Sequence, residues 1–345
     1  LSIYMDKAIA AAGIAGGQTK KNPTVGAVIV KDGVVIGMGS HLLMGTDHAE
    51  VQAIKSCIED PAGADIYVTL EPCSHHGRTP PCTEAIINAG IKRVFYAVQD
   101  ENPKVSGHTV LEDKGVTAIH QPHEKSEAIY DGFFNHLSRK RPNVTLKSAV
   151  SLDGKLALDN GTSKWVTNSE SRKDVQYLRH SHDAILTGGG TLLGDNPRLT
   201  ARIEGGGNHP RPVILLGGSL LEDGLEIESH PNKPVVFTDN IENKKFSGKY
   251  HIEYGQFSNG EILDILYRDY DISSILVEGG SKTQTAFIKE ELYDQIIIYI
   301  APKLFGRSKH ELFQSSFTAM EEVIHLKLTD VEKLQSDLKL TYRRN

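Results

Sequence analysis

The feature that most restricts this chain is the set His48, Glu50, Cys73 and Cys82. Two residues apart on a regular helix, His48 and Glu50 would point about 200° away from each other. They converge only if His48 sits at the start of a helix with Glu50 in its first turn, Asp47 serving as the cap. ADIYVTL (64–70) reads as a strand running straight into Glu71-Pro72-Cys73. CTEAIINAG (82–90) reads as a short helix, with Pro81 before it and Gly90 after it, both in favoured places. Cys73 and Cys82 are therefore expected beside helix starts after Pro72 and Pro81, where the positive helix end favours a thiolate. The intervening SHHGRTPP forms a loop over the site.

The rest of the first half keeps this alternation. Residues 2–16 read as an amphipathic helix ending at Gly16-Gly17, and VGAVIVKDGVVIGMG as two strands joined at Lys31-Asp32-Gly33. AEVQAIKSCI (49–58) has helical spacing, RVFYAVQD (93–100) and VTAIH read as strands, and a helix covers about 123–139. Strand and helix in alternation make an α/β layered domain. Arg139-Lys140-Arg141-Pro142 reads as the linker, placing the domains at 1–142 and 143–345. Beyond it, NVTLKSAVSLDGKLAL opens with a strand and an Asp-Gly turn. DAILTG, RPVILLG, PVVFTD, SSILVEGG and DQIIIYIAPKLFG are strand candidates. Helices are expected over 169–181, 259–269 and 281–291, with a β-rich end around 322–343.

A chain of 345 residues suits two domains, each able to bury its own core. The net charge of −6 provides no global field to attract nucleic acid or an anionic membrane. Three cysteines, Cys57, Cys73 and Cys82, are too few for a disulfide scaffold and fit a reducing cytoplasm. No run approaches the length of about 18 apolar residues that a membrane helix needs.

One imidazole and two thiolates cancel the charge of Zn²⁺ and leave a fourth position for water, the donor count of a catalytic zinc site. The metal lowers the pKa of that water. H-x-E followed by P-C is the signature of the zinc deaminases, in which the glutamate moves protons and is not a ligand. Two other readings compete. A structural zinc module needs a fourth protein ligand, which His75 or His76 would have to supply. A tRNA adenosine deaminase shares HAE and P-C but predicts C-x-x-C and a basic surface; the spacing here is C-x8-C.

NPTVGAVIV, HAE and EPCSHHGRTPPC closely resemble the deaminase half of the bifunctional riboflavin-biosynthesis deaminase–reductases. The resemblance implies a cytidine-deaminase-like three-layer domain acting on a pyrimidine that bears a ribosylamino 5-phosphate. It implies that His48, Cys73 and Cys82 hold zinc and that Glu50 shuttles protons as ammonia leaves. Asn22 would bond the pyrimidine edge, and His41, His75, Arg78, Asp100 and Asn102 would line the pocket and hold the ribose phosphate.

The second half has no G-x-G-x-x-G after a strand and no Walker A motif. It does have SSILVEGGSKTQTAFIKE, a strand, Gly-Gly turn and helix that suit a phosphate, and AILTGGGTLLGDNPRLTAR (184–202), rich in glycine. SKWVT, the 184–202 segment, VEGG and YIAPKLFG resemble, in order, the reductase half of the same family. That half is a dihydrofolate-reductase-like α/β domain using NADPH. Ala149, Trp165, Thr191, Asp195, Ser219 and the stretch Gly280, Ser281, Lys282, Thr283, Gln284, Thr285 and Ala286 would contact NADPH. Lys147, Ser163, Arg179, Leu199, Arg202 and Glu278 would contact substrate, with Lys147 and Asp195 acting at the reacting centre. Gly217-Gly218 stands where related reductases often carry an aspartate and a small polar residue, which leaves the contact at Ser219 open. The resemblance thus implies one Zn²⁺ per chain, NADPH, small phosphorylated pyrimidines as substrates, no nucleic acid and no membrane. It leaves homo-oligomerisation open.

Overall fold

The structure, a computed structural model, describes residues 3–16, 19, 22–76, 80–102 and 105–344. It divides into two compact units, Leu1–Arg139 and Lys140–Asn345. Among the described residues, no helix is long and apolar enough to cross a membrane.

The first unit runs α1 (Ile3–Ile14), β1 (Gly26–Lys31), β2 (Val34–Ser40), α2 (Ala49–Lys55), β3 (Asp65–Leu70), α3 (Cys82–Asn88), β4 (Arg93–Val98), α4 (Gly107–Asp113), β5 (Thr117–His120) and α5 (Glu124–Arg139). Its sheet has the order β2-β1-β3-β4-β5, with β1 antiparallel to β2 and β3, and β3, β4 and β5 parallel. Successive side chains of a strand face opposite sides, and each side has its own core. Ala27, Ile29, Ile66, Val68 and Val94 pack on Ala49 and Ala53 of α2, Ile86 of α3 and Leu111 of α4. Val28, Val30 and Tyr67 pack on Met5 and Ala8 of α1. Tyr130 and Phe134 of α5 pack on Leu70. Helix, sheet and helix make three layers.

Two glycines set how closely the helices approach. A Cβ at Gly26 would lie 2.0 Å from Ala8 O, and one at Gly39 would lie 2.2 Å from Ala49 O. The first presses α1 onto β1, and the second presses the start of α2 onto β2, which fixes where His48 and Glu50 stand. The inward face of α1 is accordingly small, with Ala8, Ala11 and Ala12 buried, while Ile3 and Ile14 are exposed. It is therefore not the amphipathic helix expected, because close backbone approach selects for size before hydrophobicity.

The second unit runs β6 (Asn143–Ser151), α6 (Ser169–His180), β7 (Ala184–Gly188), α7 (Gly189–Asp195), β8 (Arg211–Gly217), β9 (Val235–Thr238), β10 (His251–Tyr254), α8 (Asn259–Asp269), β11 (Ser274–Val277), α9 (Ser281–Lys289), β12 (Gln295–Ala301), β13 (Leu326–Leu334) and β14 (Asp337–Arg344). The nine strands lie in the order β10-β9-β8-β7-β11-β6-β12-β14-β13. The first seven are parallel, and the β14–β13 hairpin closes the sheet antiparallel. One face buries Val144, Leu146, Leu186 and Val277 under α8 and α9. The other buries Ile185 and Ile214 with Leu192 of α7, and Ile297 and Tyr299 with Val175 of α6. The chain leaves β6, winds out to β10, and returns to lay β11 between β7 and β6. The carboxyl ends of β7, β11 and β6 thus border a topological switch point, where open α/β sheets form their ligand crevices.

Three elements were not foreseen: α4, α7 and β10. The first two are seven residues long, one starting and the other opening on glycine, and a short glycine-led segment carries little periodic signal. The strand expected through 306 ends at Ala301. Beyond it, the amides of Phe305 and Gly306 donate to Asp153, which pulls the chain into a loop.

Candidate active sites

The first site gathers at one edge of the α2–α3 layer. His48 is the N-cap of α2 in extended conformation, and Glu50 lies in the first turn. Asp47, expected to be the cap, is not: its carboxylate pairs with Lys55 at 2.6 Å, and His48 occupies the capping position. Cys73 likewise does not precede a helix of its own. It sits in the coil after β3 and faces the start of α3, whose first amide, Cys82 N, donates to Cys73 Sγ at 3.3 Å. One helix end therefore serves both sulfurs.

His48 Nδ1 lies 3.2 Å from Cys82 Sγ and 3.5 Å from Cys73 Sγ. The ligand atoms of His48, Cys73 and Cys82 all fall within 4.8 Å of one another, and among the described residues these three alone form such a group. His76, a fourth-ligand candidate, instead approaches Glu84 at 3.2 Å, and His75 is exposed. Three soft and borderline donors converging in a half-buried pocket fit zinc with one position left over.

The electrostatics match that donor set. The hydrogen bond with Cys82 is the main cause that holds the Cys73 thiol down to about 4, with His48 and the α3 amide adding to it against the cost of burial. The shared proton then sits on Cys82, which Cys73 and burial push up. Glu50 is 3% exposed. Burial first, and the Cys73 charge second, push its carboxyl up to about 7, where it can both take and give a proton near neutrality.

The other expected pocket residues are partly assembled. Asn22 Nδ2 is 3.3 Å from His41 Nε2, and the His41 ring meets the His48 ring edge-on with centroids 5.1 Å apart. Burial pushes His41 below the usual histidine range. Burial also raises the Asp100 carboxyl, which feels both His75 and Cys73 and so shares their neighbourhood. Asn102 N donates to Asp100 Oδ1 at 2.9 Å. Arg78 lies outside the described residues.

Two residues had no role assigned from sequence. Buried Glu71 accepts from His108 N at 2.9 Å and Asp100 N at 3.3 Å, pinning Asp100 and His108 to the Cys73 turn. Buried Tyr130 donates to Thr24 O at 2.8 Å and lies 2.6 Å from Thr69 Oγ1. A carboxylate in a strand-end E-P-C was a legible signal for the first; Tyr130 reads simply as core.

The second site lies at the crevice of the nine-stranded sheet. Glu278, directly after β11, is held by Arg179 of α6 through Nε at 2.7 Å and Nη2 at 3.0 Å, and by Lys147 Nζ of β6 at 3.5 Å. Each of the three side chains is only 13% exposed. Burial pushes the Glu278 carboxyl up, but the Arg179 and Lys147 charges outweigh it and hold it at about 2. Arg179 Nη1 also donates to Thr200 O, and Arg202 Nη1 to Thr200 Oγ1. Burial, and then the Arg179 charge, depress Arg202. Leu199, just before, is buried at φ +53, an uncommon conformation for a side chain of its size. Three cations around one carboxylate leave a surplus of positive charge that suits a phosphate. Beneath them the Lys147 ammonium lies 5.8 Å from the Tyr299 ring centre, and Tyr299 donates to Asp174.

Beside this cluster two glycine turns meet. Gly188 leads into α7 and Gly280 into α9. A Cβ on Gly279 would strike Thr283 at 2.6 Å, and one on Gly280 would come to 3.9 Å from Thr191 Oγ1. Thr191 and Gly280, expected in one cofactor site, are thus neighbours, and the amides opening α9 fit a phosphate. Asp195 is exposed one turn beyond Thr191. Several side chains of 280–286 face inward: Ser281 donates to Glu311 O, Thr285 Oγ1 accepts from Gln314 N, and Gln284 Nε2 donates to Lys147 O. Ala149 packs with Val175 and Tyr299. Ser163 and Trp165 lie on the loop after β6; Trp165 is 63% exposed, its ring 4.7 Å from the Arg172 guanidinium. Ser219 is exposed after Gly217, which has φ +59. Asn243 Nδ2 donates to Ser219 O at 2.8 Å.

Comparison with known proteins finds one family match within each unit. Residues 1–98 match the family described as the cytidine and deoxycytidylate deaminase zinc-binding region, and residues 142–340 match the RibD C-terminal domain. The chain is 39% identical to the riboflavin biosynthesis protein RibD of Aquifex aeolicus over 349 residues, 99% of this chain and 98% of that one. It is 39% identical to that of Bacillus amyloliquefaciens over 354 residues, 98% and 95% of the two chains. Among solved structures, RibD of Acinetobacter baumannii superposes with a TM-score of 0.89 at 35% identity, covering 99% of this chain and 98% of that one. The Thermotoga maritima diaminohydroxyphosphoribosylaminopyrimidine deaminase/5-amino-6-(5-phosphoribosylamino)uracil reductase gives the same four values.

Proposed function

The chain belongs to the RibD family, the bifunctional deaminase–reductases of riboflavin biosynthesis, and from that premise we propose which residues carry each of its two steps. The first unit hydrolytically deaminates 2,5-diamino-6-(5-phosphoribosylamino)pyrimidin-4(3H)-one. The second reduces the ribosyl side chain of the product to ribityl with NADPH. The observation that carries the first assignment is the convergence of His48, Cys73 and Cys82 beside buried Glu50.

In the first site, His48, Cys73 and Cys82 would hold Zn²⁺. When bound, the metal supplies a water of lowered pKa at its open position. Glu50, buried in the first turn of α2 beside Cys82, would take a proton from the attacking water and deliver it to the departing amine. Asn22 and His41 orient the ring edge, and Asp100, pinned by Glu71, and Asn102 bound the other side of the pocket. His75, and by the family resemblance Arg78, would contact the substrate.

In the second site, Lys147, Arg179 and Arg202 bind the anionic substrate, with Glu278 holding the first two in place. Leu199 and Ser163 border it. NADPH supplies the hydride when bound. The amides of Gly280–Thr283 and Thr191 hold its phosphates; Asp195, Trp165, Ala149 and Ser219 lie along the same cleft. Lys147 would orient the ring-opened ribosyl imine, whose C1 would accept the hydride while its nitrogen takes up a proton from the Lys147 ammonium or solvent.

The decisive experiment supplies the diaminopyrimidine ribosyl phosphate with and without NADPH and identifies the products. Ammonia release without NADPH, and a ribityl product with it, are expected. Glu50→Ala should abolish ammonia release and leave NADPH oxidation on pre-deaminated substrate intact. Ammonia release unchanged in that variant would overturn the role given to Glu50.

A further inference from the structure

The register between β11 and β6 stops at Val277↔Leu146. One residue further along, the two chains carry Glu278 and Lys147, whose side chains meet on the α6 side of the sheet. Val277 O belongs to that last rung, and Lys147 O is the first β6 carbonyl beyond it on the β11 side. From the other side, the Gln284 side chain of α9 reaches up and donates to both, at 3.1 Å and 3.0 Å. A primary amide has two N–H hydrogens, and here both go to these two carbonyls. Gln284 is 1% exposed, so its amide nitrogen is committed to the protein and has no hydrogen left for a ligand.

We propose that Gln284 is a positioning residue of the reductase: its amide supplies a donor to Lys147 O just beyond the last β6–β11 rung, ties that carbonyl to Val277 O, and fixes Lys147 and Glu278 relative to the Gly280 turn that opens α9. The inference rests on the reading of this crevice as the reductase site. It differs from a cofactor contact for Gln284, because the side chain acts through the backbone of two substrate-binding residues. One amide thereby ties together the three pieces a hydride transfer must align: the β6 strand with Lys147, the β11 end with Glu278, and the first turns of the helix that would seat the cofactor's phosphates. Glu278 is further fixed from the β7 side, where its N–H donates to Leu186 O at 2.9 Å and its carbonyl accepts from Thr187 Oγ1 at 3.0 Å. Lys147, mid-strand in β6 and paired with Ile297 of β12 on its other side, has Gln284 as the only described side-chain donor on its carbonyl, so its β11-facing side is what loosens when the amide is lost.

The test compares full-length wild type, Gln284→Met and Gln284→Glu. Methionine keeps the length of the side chain and removes both donors. Misplacement near the reacting atoms by about 1 Å costs on the order of a hundred-fold in rate. Gln284→Met should lower the reductase kcat by roughly ten- to a hundred-fold. It should also raise the primary isotope effect measured with NADPH deuterated at both C4 positions, because hydride transfer becomes rate-limiting. Ammonia release should be unchanged, and the folded fraction is read from the cooperative unfolding of the second unit. Glutamate at 284 sets a carboxylate against two carbonyls; its protonated form regains one donor. Its reductase kcat per folded molecule should therefore climb as pH falls from 8 to 6, a trend absent from wild type. Wild-type kcat and isotope effect in folded Gln284→Met would overturn the proposal. If Gln284→Met fails to fold, a Gln284→Glu profile parallel to wild type does so. A wild-type protein that shows no NADPH-dependent reduction would instead overturn the reading of the site and this inference with it.

Discussion

Replacing Glu278 by glutamine tests whether the second site is held by charge. In the folded protein this carboxyl is held at about 2, against an ordinary value of 4.5. A difference of about 2.5 units at 1.36 kcal/mol each corresponds to on the order of 3 kcal/mol of stability. The geometry gives a similar figure independently. Glutamine leaves the Arg179 and Lys147 cations, both largely buried, facing a neutral group, and breaking a buried ion pair costs about 3–5 kcal/mol. The sign follows from the folded pKa lying below the unfolded one. The contribution is complete above about pH 5 and is lost as pH falls toward 2, with roughly half remaining at pH 3. Trp165, the sole tryptophan, lies in the second unit, so its fluorescence during urea unfolding reports that unit alone. At pH 7, Glu278→Gln should lower the unfolding free energy by about 3 kcal/mol, or the midpoint temperature by roughly 6–12 °C for a unit of this size. The gap should narrow at pH 4 and again at pH 3. A gap that stays constant across that range, or a variant as stable as wild type at pH 7, would refute the argument that the carboxylate's charge holds the cluster.

Other expectations follow from the same geometry. Metal analysis of active protein should find about one zinc per chain, and a chelator that removes it should stop ammonia release while NADPH oxidation on pre-deaminated substrate continues. Lys147→Ala should impair reduction and spare deamination, checked by assaying the two steps on separate substrates. Gly26→Ala would drive a methyl group to 2.0 Å from Ala8 O and 2.5 Å from Ala12 N, both backbone atoms of α1. That overpacking should cost about 3 kcal/mol or more, read as a lowered temperature for loss of ammonia release with the Trp165 transition unmoved.

Much of the first site was legible because its chemistry depends on residue type. Imidazole, two thiolates and a carboxylate at H-x-E and P-C admit few other uses, and His48 had to stand at a helix start for Glu50 to converge with it. The details of capping were not legible. Whether Asp47 or His48 caps α2 depends on the pull of Lys55 on Asp47, a contact eight residues along the chain. Nor was it evident that one helix end, that of α3, serves both sulfurs. Glu71 shows the same limit: its partners, the amides of Asp100 and His108, come from beyond the next strand.

In the second unit, local pattern carried less. Glycine turns after β7 and β11 mark where a phosphate can approach, but the residues that make the crevice come from positions 147, 179, 202 and 278 and meet only because β11 inserts between β7 and β6. No local rule specifies that insertion.

The sequence by itself pointed to His48, Cys73 and Cys82 as one donor set with Glu50 beside it, and to two α/β units, since these follow from residue chemistry and local periodicity. Only the tertiary structure decided how Cys73 meets the start of α3, how Lys147, Arg179 and Glu278 form one buried cluster, and that Gln284 bridges the end of β11 to the middle of β6. Those outcomes depend on strand order and on how closely helices approach at Gly26 and Gly39, which are properties of the packed chain and not of any segment in it.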